Sequence, residues 1–257
     1  MAERAEGLHP NEYLLQPGSI PSIWCSGCGI GTVVNTFIQA VGGSEIDPNK
    51  ICVVSGIGCT GKVAYSVRFN SYQTIYCNPI RYALELKLKR PDSKIVVFLN
   101  DVDFMVSGAD DFIGIGKKGQ DLLVIYINNF IYYVFIEKKA LSTTPFIGVS
   151  ADNNTESPFN IPHLAESCGS RYIARWTSLH ARRLMYSITD ALHKQGFSVI
   201  EVISPCLMYY ASNGVIGENL DSMKFIYDNT IIKHDEPTGK LDIRMQDKII
   251  LGRFVNE

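Results

Sequence analysis

Four sulfur atoms and two hard oxygen donors mark where this chain could do chemistry. Cys25 and Cys28 form a C-x-x-C pair inside "WCSGCGIG" (24–31), wrapped in glycines. On its own that spacing serves zinc sites, redox pairs and iron–sulfur sites alike. A thioredoxin-like pair would sit at a strand-to-helix turn, whereas this one follows the Pro-containing entry "QPGSIPSIW". A four-thiolate site needs two more cysteines. Cys59 and Cys206 each stand at the end of an apolar run, where neighbouring strands could bring them together. Cys52 falls inside a strand run and Cys168 inside a helical stretch, so both read as packed thiols, and Cys77 stays open. Four thiolates suit zinc or an iron–sulfur cluster, and ligand softness does not separate the two.

Asp101 and Asn129 form the second constellation. Each comes just after an apolar run, 28 residues apart. On adjacent parallel strands they would share one sheet edge. A carboxylate, an amide oxygen and a backbone carbonyl make half of an octahedral Mg²⁺ shell, which phosphate oxygens and water complete. The plainer alternative is that both residues cap helices or turns. Asp103, Asp110 and Asp111 read as solvated or capping. The five histidines form no metal-ligand pattern: His180 and His193 read as surface residues on a helix, and His163 as a structural residue near a helix start.

The elements that would position these groups alternate along the chain. "KICVVSGIG" (50–58), "SKIVVFLND" (93–101), "DLLVIYINN" (121–129) and "FSVIEVISPC" (197–206) read as strands covered on both faces, as in parallel sheets. Helical patterns over 32–43, 78–92 and 178–196 lie between or beside them, with Gly42–Gly43, Pro91 and Gly196 as stops. The order defines an α/β fold, a mostly parallel sheet with helices on both faces. Residues 1–20 read as an N-terminal arm, 21–206 as the α/β domain that carries both constellations, and 207–257 as a tail packing on that domain or on a partner. Each strand run ends in residues with ligand chemistry, and ligands of open α/β sheets gather at the carboxyl ends of strands.

Composition narrows the function classes. Apolar residues make up 46% of the 257 and charged residues 19%, which places the chain among globular proteins rather than disordered ones. A formal net charge of −2 offers no nucleic-acid or membrane footprint. No apolar run reaches membrane-spanning length, and the N-terminus lacks a secretory pattern. Seven cysteines, an odd number, argue for reduced thiols and a cytoplasmic setting. Neither a G-x-S-x-G elbow nor a G-x-x-x-x-G-K-[ST] loop is present.

The two constellations together bring out a family. "IWCSGCGIGTVVNTFIQAV", "KICVVSGIGCTGKVA", "NNFIY", "STTPF", "FNIPHLAESCGSRYIARWTSLHARRL", "GFSVIEVISPC" and "MKFIYDNTIIKH" follow the order and spacing of 2-oxoacid:ferredoxin oxidoreductase β subunits. Over roughly residues 20 to 255 the chain resembles that family, most nearly its 2-oxoglutarate member. The resemblance implies a thiamine-diphosphate-binding fold and a [4Fe–4S] cluster on Cys25, Cys28, Cys59 and Cys206. It implies Mg²⁺ on Asp101, Asn129 and the backbone carbonyl of Ile131, with Gly58, Cys59 and Thr60 in the loop that touches the cofactor. It implies thiamine-dependent oxidative decarboxylation of a 2-oxoacid to its acyl-CoA, with electrons passing through the cluster to ferredoxin or a ferredoxin-like subunit. Coenzyme A is then a co-substrate. The glutamate that activates the cofactor belongs, by the same resemblance, to a partner α subunit, and no catalytic residue is assigned in this chain.

The departures concentrate at the diphosphate. The family's Gly-Asp-Gly-Asp reads "NDVD" (100–103), so Val102 stands where bare backbone should approach the phosphates. A glycine-rich Met-Thr-Gly-Gly-Gln run becomes "YVFIEKKA" (133–140), His-Gly-Arg-Ala becomes "YCNP" (76–79), and the Pro-Thr expected after "SPC" becomes Leu207-Met208. Three readings follow: an oxidoreductase subunit with a divergent pocket, a cluster-carrying relay or scaffold with weak or no thiamine chemistry, and a zinc-stabilised structural protein. Pyruvate or another 2-oxoacid is the alternative to 2-oxoglutarate.

Overall fold

A computed structural model describes residues 12–19, 22–75, 78–130, 132–133, 140–141, 159–206, 219–243 and 248–257. The N-terminal half runs α1 (Gly29–Gly43), β1 (Ile51–Ser55), α2 (Gly58–Gly61), α3 (Val63–Ser66), β2 (Asn70–Gln73), α4 (Pro79–Lys89) and β3 (Lys94–Asn100). Then come α5 (Asp101–Asp103), a π-helical turn over Phe104–Gly108, α6 (Ala109–Lys118) and β4 (Leu122–Asn128). A short ribbon, β5 (Tyr132–Tyr133) with β6 (Ala140–Leu141), stands apart from the main sheet. The remainder is α7 (Ile161–Ser167), β7 (Tyr172–Thr177), α8 (Ala181–His193), β8 (Ser198–Ile203), α9 (Asn219–Asp228), β9 (Thr230–Ile232) and β10 (Ile249–Asn256).

The main sheet has eight strands among the described residues, in the order β2-β1-β3-β4-β8-β7-β10-β9. Pairing from β2 through β7 is parallel, and β10 joins β7 antiparallel. The four expected strands are all present, somewhat shorter than their apolar runs, and every residue of each is buried. Successive side chains alternate between faces. Val53, Phe98 and Ile125 face α1 and α8, packing with Val33, Phe37, Leu184 and Ile188. Cys52, Val54, Val97 and Val124 face the other side, with Ile80 of α4, Phe112 of α6 and Ile161 of α7. Covering both faces is what permits unbroken Val/Ile strands.

The ends of the helices follow local chemistry. Pro79 opens α4 at its first position, where a missing N–H costs nothing. Gly119 closes α6 at φ 57°, with Lys117 and Lys118 in the last turn. The expected C-terminal tail goes further than packing on the domain. Past residue 206 the chain supplies β9 and β10, and β10 extends the sheet beyond β7. Among the described residues no helix is long and apolar enough to cross a membrane.

Candidate functional site

Three strand ends and one helix start converge on a single cavity. Cys25 and Cys28 precede α1, in a knuckle closed by Cys28 N–H donating to the Cys25 carbonyl at 3.0 Å. Gly27 makes that turn possible at φ 77°. Cys59 sits in α2, just past the carboxyl end of β1, and Cys206 three residues past β8. All four thiols line one cavity of about 520 Å³ of empty space, part of it open to solvent, and Asn129 lines it too. Cys25 and Cys59 are exposed, while Cys28 and Cys206 are half-buried. Burial pushes the Cys28 thiol up, the N–H of Ile30 offsets part of this, and Cys206, Cys59 and Cys25 each push it further. The other three thiols therefore all act on Cys28.

Cross-links hold the cavity's walls in register. Trp24 Nε1 donates to the Cys59 carbonyl at 2.8 Å. The Ser204 N–H donates to the Asn128 carbonyl at 2.9 Å, tying the end of β8 to the end of β4 just before Cys206 and Asn129. The start of α1 lies hard against the same ends: a Cβ on Gly29 would meet Ser204 Oγ at 2.1 Å and Ser178 Oγ at 2.6 Å.

The expected neighbours Asp101 and Asn129 do follow adjacent parallel strands, with Asn100 opposite Ile127 in the β3/β4 register. Both stand at the carboxyl edge of the sheet. Asn129 lines the thiol cavity, whereas Asp101, only 1% exposed, does not and is hydrogen-bonded to the Tyr126 phenol. Burial, then the Asp101 charge, raises the Tyr126 phenol well above its ordinary value, so it stays a donor to the carboxylate. Ile131 and Cys77 lie outside the described residues, as does most of the altered 133–140 stretch.

The altered "NDVD" turn has a definite structure. Asn100 Oδ1 accepts from the N–H groups of Val102 and Asp103, both at 3.0 Å. Its Nδ2 donates to Thr60 Oγ1 at 3.1 Å. Thr60 is thus fully buried behind the loop, bracing Asn100, while Gly58 at φ 67° has open space around its Cα. Of the two expected roles, solvated or capping, Asp103 takes the second, closing a capping box with Asn100. It is fully buried, and its carboxylate accepts from Ile57 N–H at 3.1 Å and Asn100 N–H at 3.3 Å. Only a bare Cα fits opposite, since a Cβ on Gly56 would come within 1.9 Å of Asp103 Oδ2.

Sequence reasoning also missed a polar network under Asn129. Asn128 Nδ2 donates to Glu201 Oε1 at 2.8 Å, Arg175 Nε donates to Glu201 Oε2 at 2.6 Å, and Arg175 reaches the Leu241 carbonyl at 2.8 Å. The signal was one acid inside the apolar run "FSVIEVISPC" and one arginine inside "YIARWT". Cys52 and Cys168 stay out of the cavity, as expected: Cys52 is buried in β1 and Cys168 caps α7. His163 is structural, its Nδ1 3.1 Å from Thr238 Oγ1.

Comparison with known proteins gives this architecture its class. Residues 56–202 match the thiamine pyrophosphate enzyme, C-terminal TPP-binding domain. The chain is 34% identical over 253 residues to the 2-oxoglutarate synthase subunit KorB of Methanocaldococcus jannaschii, spanning 97% of this chain and 93% of that subunit. It is 30% identical over 237 residues to the 2-oxoacid:ferredoxin oxidoreductase subunit beta of Saccharolobus solfataricus, spanning 88% and 74%. The fold matches a solved 2-oxoglutarate:ferredoxin oxidoreductase from Magnetococcus marinus with a TM-score of 0.79 at 22% identity, covering 99% of this chain and 87% of that one. The chain belongs to the thiamine pyrophosphate enzymes and, among them, to the β subunits of the 2-oxoacid:ferredoxin oxidoreductases.

Proposed function

We propose that this chain is the β subunit of an oxidoreductase that converts a 2-oxoacid, 2-oxoglutarate before pyruvate, to its acyl-CoA and delivers the electrons to ferredoxin or a ferredoxin-like subunit. The single observation that carries this is the meeting of Cys25, Cys28, Cys59 and Cys206, far apart in sequence, in one cavity that Asn129 also lines. The preference for 2-oxoglutarate rests on the KorB relatives' names. An α partner follows from their being subunits, and a cytoplasmic setting suits the six free thiols among the described residues.

The four thiols suit a [4Fe–4S] cluster. Tetrahedral zinc needs four sulfurs within about 2.3 Å of one centre. A cluster gives each thiolate its own iron and so accepts a wider ring. Asp101 and Asn129 offer the hard oxygens that would hold Mg²⁺, with the Ile131 carbonyl as the third protein ligand. Gly58, bare and left-handed, is the backbone a cofactor could approach closely. Thiamine diphosphate, when bound, supplies the carbon nucleophile and the electron sink that decarboxylation of a 2-oxoacid requires. This chain's residues anchor, orient and insulate. Asp101 and Asn129 would hold the Mg²⁺ whose charge offsets that of the diphosphate, Tyr126 keeps the Asp101 carboxylate in place, and Trp24 joins the C-x-x-C segment to the Cys59 loop.

One observation favours a second reading, a cluster-bearing relay with weak thiamine chemistry: Asn100 already occupies the N–H groups of Val102 and Asp103. Anaerobic co-purification with the α partner, followed by assays for iron, sulfide, zinc and thiamine diphosphate, separates the readings. Iron, sulfide and cofactor together support the oxidoreductase; iron and sulfide without cofactor support the relay; zinc alone overturns both.

A further inference from the structure

The cavity that gathers the thiols also holds a cation. Apart from the thiols, Lys62 is the one ionisable side chain lining it among the described residues. Lys62 lies three residues beyond Cys59, one helical turn on, which puts both side chains on the same side of that turn. Its Nζ donates to the Ile23 carbonyl at 3.5 Å, so the ammonium is drawn across from the Cys59 turn toward the segment that carries Cys25 and Cys28.

We propose that Lys62 is a positioning residue for electron transfer: its ammonium raises the reduction potential of the centre held by Cys25, Cys28, Cys59 and Cys206. This rests on the cluster reading above. Oxidation of the 2-oxoacid releases electrons that leave one at a time to a one-electron acceptor, and each electron residing on the thiolate-held centre adds one negative charge to the cavity. A fixed positive charge at the cavity wall favours the electron-loaded state over the electron-poor one. Lys62 is solvent-exposed, so the effect is moderate and salt weakens it.

The test is an EPR-monitored potentiometric titration of the complete α–β complex carrying Lys62→Gln, Lys62→Met or Lys62→Arg. With iron and sulfide content matched to wild type, the Gln and Met variants should show a lower midpoint potential, and the Arg variant should restore it. The gap between Gln and wild type should shrink as KCl is added. An unchanged midpoint in both neutral variants overturns the proposal and leaves the cluster reading standing. Iron lost from both neutral variants would make Lys62 a clamp on the Ile23 carbonyl, which also overturns it. Absence of iron and sulfide from the wild-type complex would instead remove the cluster reading on which the proposal rests.

Discussion

The indole N–H of Trp24 and the carbonyl oxygen of Cys59 lie 2.8 Å apart, joining two stretches of chain that each bring thiols to the cavity. A hydrogen bond of this kind is worth about 1 kcal/mol net, or roughly fivefold in an equilibrium. In Trp24→Phe the ring keeps its bulk and loses the donor. Iron should leave that variant several-fold faster in an anaerobic chelator chase, with the thermal midpoint almost unmoved. Equal release rates would show that the loops hold together without this bond.

Asn100 sets the second expectation. Its carboxamide satisfies two N–H groups at the turn where a diphosphate would approach. Replacing an Asn cap by Gly costs only a few tenths of a kcal/mol, while freeing two donors for a charged oxygen gives about 1–3 kcal/mol back to the ligand. Asn100→Gly in the α–β complex should therefore bind thiamine diphosphate with Mg²⁺ about tenfold tighter by calorimetry. Thr60→Val, which removes the partner of Nδ2, should give a smaller gain. Unchanged or weaker binding in Asn100→Gly would mean that the turn plays no part in holding the diphosphate.

Asp101→Ala separates the two halves of the site. Asp101 is buried at the sheet edge and does not line the thiol cavity, so its loss should abolish cofactor retention and leave the cluster absorbance intact. Full cofactor retention would disprove Asp101 as a metal ligand.

Glu201 and Arg175 are both fully buried. Removing one partner of such a pair strands the other charge and costs about 3–5 kcal/mol. Glu201→Ala should lower stability by that order in denaturant titration, and an added Arg175→Met should recover much of it. Because Glu201 also holds Asn128, the single variant should weaken Mg²⁺-dependent cofactor binding as well. Stability within 1 kcal/mol of wild type, on the scale of a lone surface pair, would argue that water reaches the pair.

His180 gives a pH dependence. Burial, and then the charge of Arg183, hold its imidazole below the ordinary value of 6.5. Above 6.5 the ring is neutral in both folded and unfolded chains and contributes no slope. Below it the unfolded chain takes up the proton first, so stability falls as the pH drops through that window. His180→Gln should flatten this acid-side slope, and an identical slope would place the effect on other groups.

The four central strands were legible because both their faces are covered, which leaves no polar alternation to confuse the pattern. The gathering of thiols was legible as well, since two of them stand where parallel strands end. What stayed hidden depends on distant partners. β7 reads poorly as a buried strand because of Arg175, whose charge is compensated only by Glu201 on the neighbouring strand. β2 is a four-residue edge strand, "NSYQ", with no apolar run. Asp103 was legible as a capping residue, but its full burial was not, because it depends on a second N–H, that of Ile57, reaching it from the end of another strand. β10 runs against β7, outside the repeated strand–helix–strand rhythm that made the rest readable.

Gly29 sits directly after Cys28, and its missing side chain is what lets α1 begin in contact with Ser178 and Ser204. The distance from Cys28 to Cys206 is in this sense gauged by one hydrogen atom. Even a methyl group there would wedge the helix off the sheet and widen the ring of sulfurs, although position 29 binds nothing itself. Tolerance to change at this glycine is therefore tied to the bulk of residues at 178 and 204, and compensating replacements should be sought at all three together.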